Sequence, residues 1–374
     1  MLVPFPKRRD ILRARLIAGG IPFEGPDPAT VRLRNDLVLD RWLKDGFLGF
    51  GESYMDGDWE CESIDQLCFR LLKAGLWRQH SRVRAIGNRL GSAIFNAQSK
   101  ARAREVCERH YDLGNDLFEG MLDPRMVYTC GYWKDAAGLA QAQEAKLDLV
   151  CRKLGLRPGM QVLDIGCGFG SFMKFASERY GVECIGYSLS REQIRLGRDM
   201  CSGLPIEFVE ADYREITRTY DRVVSIGMFE AVGAKNFRTY MKVVAKAMKP
   251  DGIALIHTMG DNVTNPAPEP WFDRYIFPNG LVPSVAQIGR SIEGLLALGD
   301  WHCFGEDYDP TLMAWNTNFQ KSWSGLKAKY PERFKRMWEF YLLSLAGCFR
   351  ARHVELWQIV FTHPGRPLAD WRKS

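Results

Sequence analysis

Three glycines at alternate positions follow an acidic residue in the stretch Val162-Leu163-Asp164-Ile165-Gly166-Cys167-Gly168-Phe169-Gly170-Ser171. Glycines at this spacing let a backbone pass close beneath a ligand, because a Cβ atom would block the approach and positive φ costs glycine little. The pattern indicates a turn that binds a nucleotide-type ligand. The alternative is a turn that needs only conformational freedom.

The residues after the next predicted strand argue against a dinucleotide. That strand, 182–187, leads into Ser188 rather than into the Asp or Glu that binds a ribose, and the third glycine comes one position early. S-adenosylmethionine fits better, because its sulfonium cation carries no phosphate and needs no anion site at a helix N-terminus. Asp164 would then face the amino group of this ligand.

Polar side chains recur where predicted strands end, which is the edge at which open α/β sheets bind ligands. Asp212 and Tyr213 follow the third strand and suit an adenine, Glu230 follows the fourth, and His257 follows the fifth. Strands are predicted over 162–165, 182–187, 206–209, 222–226 and 252–256, with a helix over Phe172–Glu178. The predicted fold class is therefore α/β.

The composition predicts a reduced, cytoplasmic protein with a sizeable core. The chain has 374 residues, 46% of them hydrophobic, but no apolar run of 18 or more residues and no signal-peptide pattern. Its ten cysteines are scattered singly, without Cys-x-x-Cys or neighbouring histidines, so we expect thiols rather than disulfides and no metal site.

All of the net charge of +6 lies in the first part of the chain. Residues 1–104 contain 18 basic and 12 acidic residues, and the rest of the chain is balanced. The stretch 66–104 has nine basic residues and no acidic one, with Val83, Ile86, Leu90 and Ile94 at helical spacing. This predicts a basic amphipathic helix, for which an anionic membrane surface is favoured over nucleic acid because no nucleic-acid motif accompanies it. A solvated helical face is the alternative.

A second group of motifs is more specific than the glycine turn. It resembles the cyclopropane-fatty-acyl-phospholipid synthases, and the similarity extends from about residue 31 to about residue 361. The motifs are Gly51-Glu52-Ser53-Tyr54-Met55-Asp56-Gly57, Glu108-Arg109-His110-Tyr111-Asp112-Leu113-Gly114-Asn115-Asp116-Leu117-Phe118, Tyr128-Thr129-Cys130, Phe229-Glu230, His257-Thr258, Tyr275-Ile276-Phe277-Pro278-Asn279-Gly280 and Asp307-Tyr308.

The resemblance implies a small, mainly helical N-terminal domain over residues 1–104 that contacts lipid, and a Rossmann-like class I methyltransferase domain over residues 105–374. Members of the family transfer a methylene group from S-adenosylmethionine to a cis double bond in an acyl chain of a membrane phospholipid. Such an enzyme would be associated peripherally with the inner face of the membrane, and a homodimer is left open. The implied cofactor contacts are Tyr128, Thr129, Asp164, Gly166, Gly168, Gly170, Ser188, Gln193, Asp212 and Tyr213.

The implied active site contains Cys130, Glu230 and His257, which in the family help to hold a bicarbonate ion. An alkene is a weak nucleophile, so the sulfonium methyl must be held in line with the π bond. The resulting carbocation needs a dry, aromatic pocket until a base removes a proton from the new methyl group. Aromatic candidates for this pocket are Trp133, Phe229, Trp271 and Trp315.

Three positions depart from the family pattern. Ala231 replaces a histidine, Asn316 replaces a tyrosine that follows an Ala-Trp pair, and Leu345 replaces a cysteine, with Cys348 one helical turn later. In the family this tyrosine is one of the bicarbonate contacts, so Asn316 leaves the use of bicarbonate open. Three functions remain: cyclopropane formation, methylation of the acyl chain to a methylated or methylene-branched product, and lipid binding without catalysis.

Overall fold

The computed structural model describes residues 7–78 and 114–366. The strands are β1 Arg32–Leu33, β2 Trp59–Glu60, β3 Gln161–Ile165, β4 Glu183–Ser188, β5 Ile206–Glu210, β6 Tyr220–Ile226, β7 Met248–Gly260, β8 Ala297–Cys303 and β9 Glu355–Thr362. The helices are α1 Arg8–Ala18, α2 Leu37–Asp45, α3 Phe47–Met55, α4 Ile64–Lys73, α5 Asn115–Met121, α6 Leu139–Leu154, α7 Ser171–Tyr180, α8 Arg191–Met200, α9 Phe237–Ala247, α10 Pro270–Tyr275, α11 Val285–Ile292, α12 Tyr308–Leu326 and α13 Glu332–Arg350.

A seven-stranded sheet in the order β5-β4-β3-β6-β7-β9-β8 forms the centre of the chain. Strands β3 to β7 are parallel, whereas β9 is antiparallel to both β7 and β8. The order reverses beside β3, and a crevice forms at such a switch point outside the carboxyl ends of the strands. This confirms the predicted α/β fold of the class I methyltransferase type.

All five predicted strands are present, and each observed strand extends one or more residues beyond its prediction. The predicted helix over Phe172–Glu178 is α7, also slightly longer. Four strands were not predicted: β8 and β9 of the central sheet, and the two-residue strands β1 and β2. Every residue of β9 is buried, so its sequence shows no alternation of polar and apolar residues. Such a short buried run is typical of a strand or of a helix segment alike.

The N-terminal helices pack on α13 through close contacts. A Cβ atom on Gly347 would lie 2.4 Å from the Asp65 carbonyl oxygen, so glycine there lets α13 approach α4. Arg350 donates to the Asp65 carboxylate at 2.6 Å, and Arg336 donates to the Trp59 carbonyl at 2.9 Å. Residues of α1 to α4 therefore share one apolar core with α12 and α13.

Only the beginning of the basic stretch 66–104 lies within the described residues. Arg70 pairs with Asp27 at 2.8 Å, and the Trp77 ring lies 4.0 Å from that of Phe47. Trp77 therefore packs against the protein core. The predicted amphipathic positions Val83, Ile86, Leu90 and Ile94, the domain boundary at residue 104 and most of the motif 108–118 lie outside the described residues.

The thiol prediction agrees with the structure where it can be compared. The nine cysteines of the described ranges are free thiols. Within the same ranges, no helix is long and apolar enough to span a bilayer, and no His, Cys, Asp and Glu side chains cluster as metal ligands do.

Candidate active site

The glycine turn connects β3 to α7, and all three glycines have positive φ: 85° at Gly166, 53° at Gly168 and 78° at Gly170. A Cβ atom on Gly166 would lie 2.7 Å from Met228, and one on Gly170 would lie 2.5 Å from Phe208. At Gly168, by contrast, the nearest atoms are those of the Gln193 amide, at 3.9 Å or more. Gly168 therefore borders open space on the side where a ligand would lie.

Asp164 is the last but one residue of β3 and is almost fully buried. Its Oδ1 atom has no hydrogen-bond partner among the described residues. Burial raises the pKa of this carboxyl to about 7, and the ammonium of Lys146 opposes the effect. A buried carboxylate oxygen without a partner is costly, so the site suits a ligand that brings a donor or a positive charge.

The other predicted cofactor residues lie along the same sheet edge with different partners. Gln193, the third residue of α8, directs its amide towards Gly168, and Ser188 accepts a hydrogen bond from the Ser190 amide at 3.2 Å. Both oxygens of Asp212 accept from Arg214 at 2.9 Å. The buried Tyr213 hydroxyl has no hydrogen-bond partner among the residues that the structure describes, and burial raises its pKa to about 12.

The segment 128–130 runs beside α6 and α12. The Tyr128 hydroxyl lies 3.1 Å from that of Tyr341, and Thr129 accepts a hydrogen bond from the Lys146 ammonium at 2.8 Å. The buried Cys130 thiol donates to the Gly131 carbonyl at 3.1 Å. Burial raises the pKa of Cys130 well above its usual value, so this residue is a neutral donor rather than a thiolate.

Glu230 follows β6, and its carboxylate is only half satisfied. Oε1 accepts a hydrogen bond from the Met259 amide at 2.6 Å, whereas the buried Oε2 has no partner in the described parts of the chain. Burial raises the pKa of this carboxyl. One oxygen of Glu230 is thus held by the backbone of β7 while the other remains available to accept a proton or a hydrogen bond.

His257 lies on β7 with its Nδ1 atom 3.4 Å from the Gln358 amide nitrogen. Its Nε2 atom is buried and has no hydrogen-bond partner within the described ranges. Burial, helped by Lys146 and Lys153, lowers the pKa of the imidazole well below its usual value, so the ring is neutral. If the Gln358 amide donates to Nδ1, Nε2 carries the proton and can donate it to a ligand.

Tyr308 was not singled out as a site residue, although its Asp307-Tyr308 motif was part of the resemblance. Burial raises the pKa of the Tyr308 hydroxyl, and the electrostatic effects of Tyr341, Cys130 and Glu230 raise it further. The amide of Asn316 has another environment: its oxygen accepts from Gln320 at 3.4 Å. The Tyr308 phenol thus interacts electrostatically with Cys130 and Glu230, and the role of position 316 stays a prediction.

The four aromatic candidates for the pocket do not pack together on one side of the site. Trp315 lies 5.3 Å from Tyr128, and Trp133 donates its indole N–H to Thr311 at 2.8 Å, beside Cys130. The other two have the contacts of core residues. Phe229 stacks on Phe237 at 4.5 Å, and Trp271 packs against Phe340 at 4.9 Å.

Comparison with known proteins identifies the family. The profile of the mycolic acid cyclopropane synthetase family matches residues 98–359. The chain belongs to this cyclopropane synthetase family. It is 48% identical over 348 residues to the cyclopropane-fatty-acyl-phospholipid synthase of Escherichia coli strain K12, covering 93% of this chain and 91% of that protein.

The chain is also similar to a methyltransferase and to two solved cyclopropane synthases. The tuberculostearic acid methyltransferase of Mycobacterium tuberculosis is 32% identical over 365 residues, covering 89% of this chain and 83% of that protein. A cyclopropane synthase from M. tuberculosis superimposes with a TM-score of 0.65 at 29% identity, over 69% of this chain and 97% of that one. A mycolic acid cyclopropane synthase solved with SAH and CTAB gives 0.64 at 27%, with the same coverage.

Proposed function

We propose that this protein is a cyclopropane-fatty-acyl-phospholipid synthase. It transfers a methylene group from S-adenosylmethionine to the cis double bond of an unsaturated acyl chain in a membrane phospholipid. The observation that carries the proposal is that Glu230 Oε2, after β6, and His257 Nε2, on the neighbouring strand β7, are both buried without a hydrogen-bond partner in the described parts of the chain. Near-complete coverage of the Escherichia coli synthase supports it.

The residues present fit S-adenosylmethionine. Gly168 borders open space, and Asp164 has an unpartnered oxygen for the amino group of the cofactor. The cofactor supplies an electrophilic methyl group when it is bound. We assign the cofactor contacts predicted from the sequence, namely Tyr128, Thr129, Asp164, Gly166, Gly168, Gly170, Ser188, Gln193, Asp212 and Tyr213. Each oxygen of Asp212 accepts one hydrogen bond from Arg214 and has a second lone pair to accept from a ribose hydroxyl or the adenine amino group.

The catalytic residues act after a carbon of the alkene has taken the methyl group. The other alkene carbon then carries the positive charge, and loss of one proton from the new methyl group closes the ring. A base takes this proton, and two side chains orient that base. Glu230 holds it through its free oxygen Oε2, and His257 donates a hydrogen bond to it from Nε2. Trp315 and Tyr128 exclude water from the cation on one side.

A bicarbonate ion fits the same group of residues. It can donate its hydroxyl to Glu230 Oε2 and accept from His257, and the neutral Cys130 thiol and the Tyr308 phenol supply further donors nearby. The base would then be the bicarbonate itself. We therefore propose bicarbonate as a bound ion, because the reason for doubting it, Asn316, lies in a separate contact with Gln320.

The product distinguishes this function from the other candidates. We expect the fatty acids of cells that express this protein to gain about 14 mass units with loss of unsaturation, since a methylene group adds CH₂ and the ring replaces the double bond. Mass spectrometry before and after mild hydrogenation measures both changes. A gain of about 14 with unsaturation retained would show a methylated alkene instead, and no gain would contradict both enzymatic functions.

The N-terminal part is proposed as the lipid-contacting domain. We place it at residues 1–104 and the methyltransferase domain at residues 105–374. Support comes from the positive charge confined to the first part and from α3 and α4, which pack on α13 next to the aromatic residues of the site. We propose peripheral binding of this domain to the anionic inner face of the membrane.

Binding to vesicles tests that proposal. We expect binding to anionic vesicles to weaken steeply with added salt, because each basic residue near the surface contributes about 1 kcal/mol and is screened. Replacing Arg78, Arg82 and Arg89 by glutamine should weaken it in the same way; the last two lie outside the described residues. The control is Arg195→Gln, on the exposed face of α8 beside Glu192. Equal binding to neutral and anionic vesicles would refute the proposal.

A further inference from the structure

The first turn of α12 binds a distant segment of the chain through the side chain of Thr311. This residue is fully buried, and its Oγ1 atom accepts hydrogen bonds from the Gly131 amide at 3.1 Å and from the Trp133 indole at 2.8 Å. It donates its own proton to the Asp307 carbonyl at 2.8 Å, which is the usual bond of a threonine to the preceding turn of a helix. A hydroxyl has one donor and two acceptor sites, so all three sites of this hydroxyl are occupied.

The carboxylate of Asp307 adds a third bond to the same segment. Asp307 directly precedes α12, a position where an aspartate normally accepts from an amide of its own helix, but its side chain makes no such bond. Its Oδ2 atom accepts instead from the Trp133 amide at 2.8 Å. Two residues at the start of α12 thus hold three donors of the segment 131–133, which lies between 174 and 180 positions away in the chain.

Both sides of this contact carry a group of the proposed bicarbonate site. Cys130 directly precedes the segment 131–133, and Tyr308 lies between the two residues that hold it. The Cys130 sulfur is 3.9 Å from the Thr311 hydroxyl, whose acceptor sites are already occupied, so the thiol donates to the Gly131 carbonyl or to a ligand. The contact therefore fixes where the Cys130 thiol lies relative to the Tyr308 phenol.

We propose that Asp307 and Thr311 are positioning residues of the active site. They set the distance between the Cys130 thiol and the Tyr308 phenol, so that both groups can donate to one anion. The inference rests on the proposed function and its bicarbonate ion. Neither residue needs to touch the anion, since each acts through donors of the segment 131–133. Two donors on separate elements bind one anion only while their separation is fixed, because a shift of about 1 Å lengthens a hydrogen bond beyond its normal range.

The rate of ring formation as a function of bicarbonate concentration tests the inference. Thr311→Val keeps the shape of the side chain but loses all three bonds. We expect the bicarbonate concentration for half activity to rise about tenfold, as for the loss of one hydrogen bond to a charged group. The rate at saturating bicarbonate and the affinity for S-adenosylhomocysteine should stay within about twofold of wild type, since Thr129 of the proposed cofactor site is held separately by α6. Thr311→Ser, which keeps the hydroxyl, should restore the wild-type concentration.

The matched control is Thr317→Val, on the same helix. Thr317 donates to the Met313 carbonyl at 2.9 Å, the same kind of bond to the preceding turn, but it is exposed and holds no donor of the segment 131–133 within the described structure. This control should keep the wild-type bicarbonate dependence. A double-mutant cycle adds a second measurement: in a Tyr308→Phe background, one of the two positioned donors is gone, so the effect of Thr311→Val should shrink to about threefold or less.

Two results would overturn the inference: a wild-type bicarbonate dependence in Thr311→Val, or an undiminished effect of Thr311→Val in the Tyr308→Phe background. If Thr311→Val does not fold, Trp133→Phe decides the matter, because it removes one donor bound to Thr311 and leaves α12 unchanged. The bicarbonate concentration for half activity should then rise too, and an unchanged value would refute the role of Thr311. A wild-type protein that forms no rings, or forms them without bicarbonate, would instead refute the proposed function or its bicarbonate ion.

Discussion

Gly168→Val is expected to abolish binding of S-adenosylhomocysteine while the protein stays folded. The branched side chain would project into the open space beside Gly168, since no described atom lies within 3.9 Å of a Cβ built there. Gly168 also has a φ of 53°, where a valine costs about 1–2 kcal/mol of folding free energy. The measurements are calorimetric titration with S-adenosylhomocysteine and the free energy of unfolding.

The control Gly159→Val separates the cost of backbone strain at positive φ from the loss of space for the ligand. Gly159 also has a positive φ, of 80°, and no atom lies within 4 Å of a Cβ atom built on it. It precedes β3, whereas the glycine turn follows β3. We expect both variants to lose similar stability and only Gly168→Val to lose binding. Unchanged affinity in a folded Gly168→Val protein would contradict the cofactor assignment.

Glu230→Gln is expected to lower the rate of ring formation by about 10²- to 10⁴-fold. Glutamine can still accept from the Met259 amide, as Oε1 of Glu230 does at 2.6 Å, but it loses the charge and the acceptor at the Oε2 position. Because burial raises the pKa of this carboxyl, its charge costs folding free energy at neutral pH. Stability should therefore stay the same or rise while activity falls, which thermal unfolding and product analysis measure together.

Variants at positions 308 and 316 test which of these residues contacts bicarbonate. Tyr308→Phe removes a phenol near Cys130 and Glu230, so we expect the bicarbonate concentration needed for half activity to rise, by about tenfold for one charge-assisted hydrogen bond. Asn316→Ala removes only a contact with Gln320 and should change activity little. The opposite ranking of these two variants would show that position 316 is the anion contact.

Local patterns determined much of this protein before any tertiary contact was known. Short apolar runs that end in polar residues identified strands β3 to β7, because parallel strands of an α/β sheet are buried along their length and bind ligands at one edge. Alternate glycines identified the turn after β3, because only glycine tolerates positive φ three times within five residues. The family motifs then indicated the chemistry and the roles proposed for Glu230 and His257.

The tertiary structure decided what depends on residues far apart in the chain. Tyr308 interacts electrostatically with Cys130 and Glu230 although 78 or more positions separate it from either residue, and no sequence spacing predicts such an interaction. The same holds for Gln358, which reaches His257 because β9 inserts beside β7. Lys146 carried no signal at all, since a lysine on an amphipathic helix is usually solvated. Its burial depends on the way α6 packs over the sheet, and that packing is set by the whole fold rather than by the helix sequence.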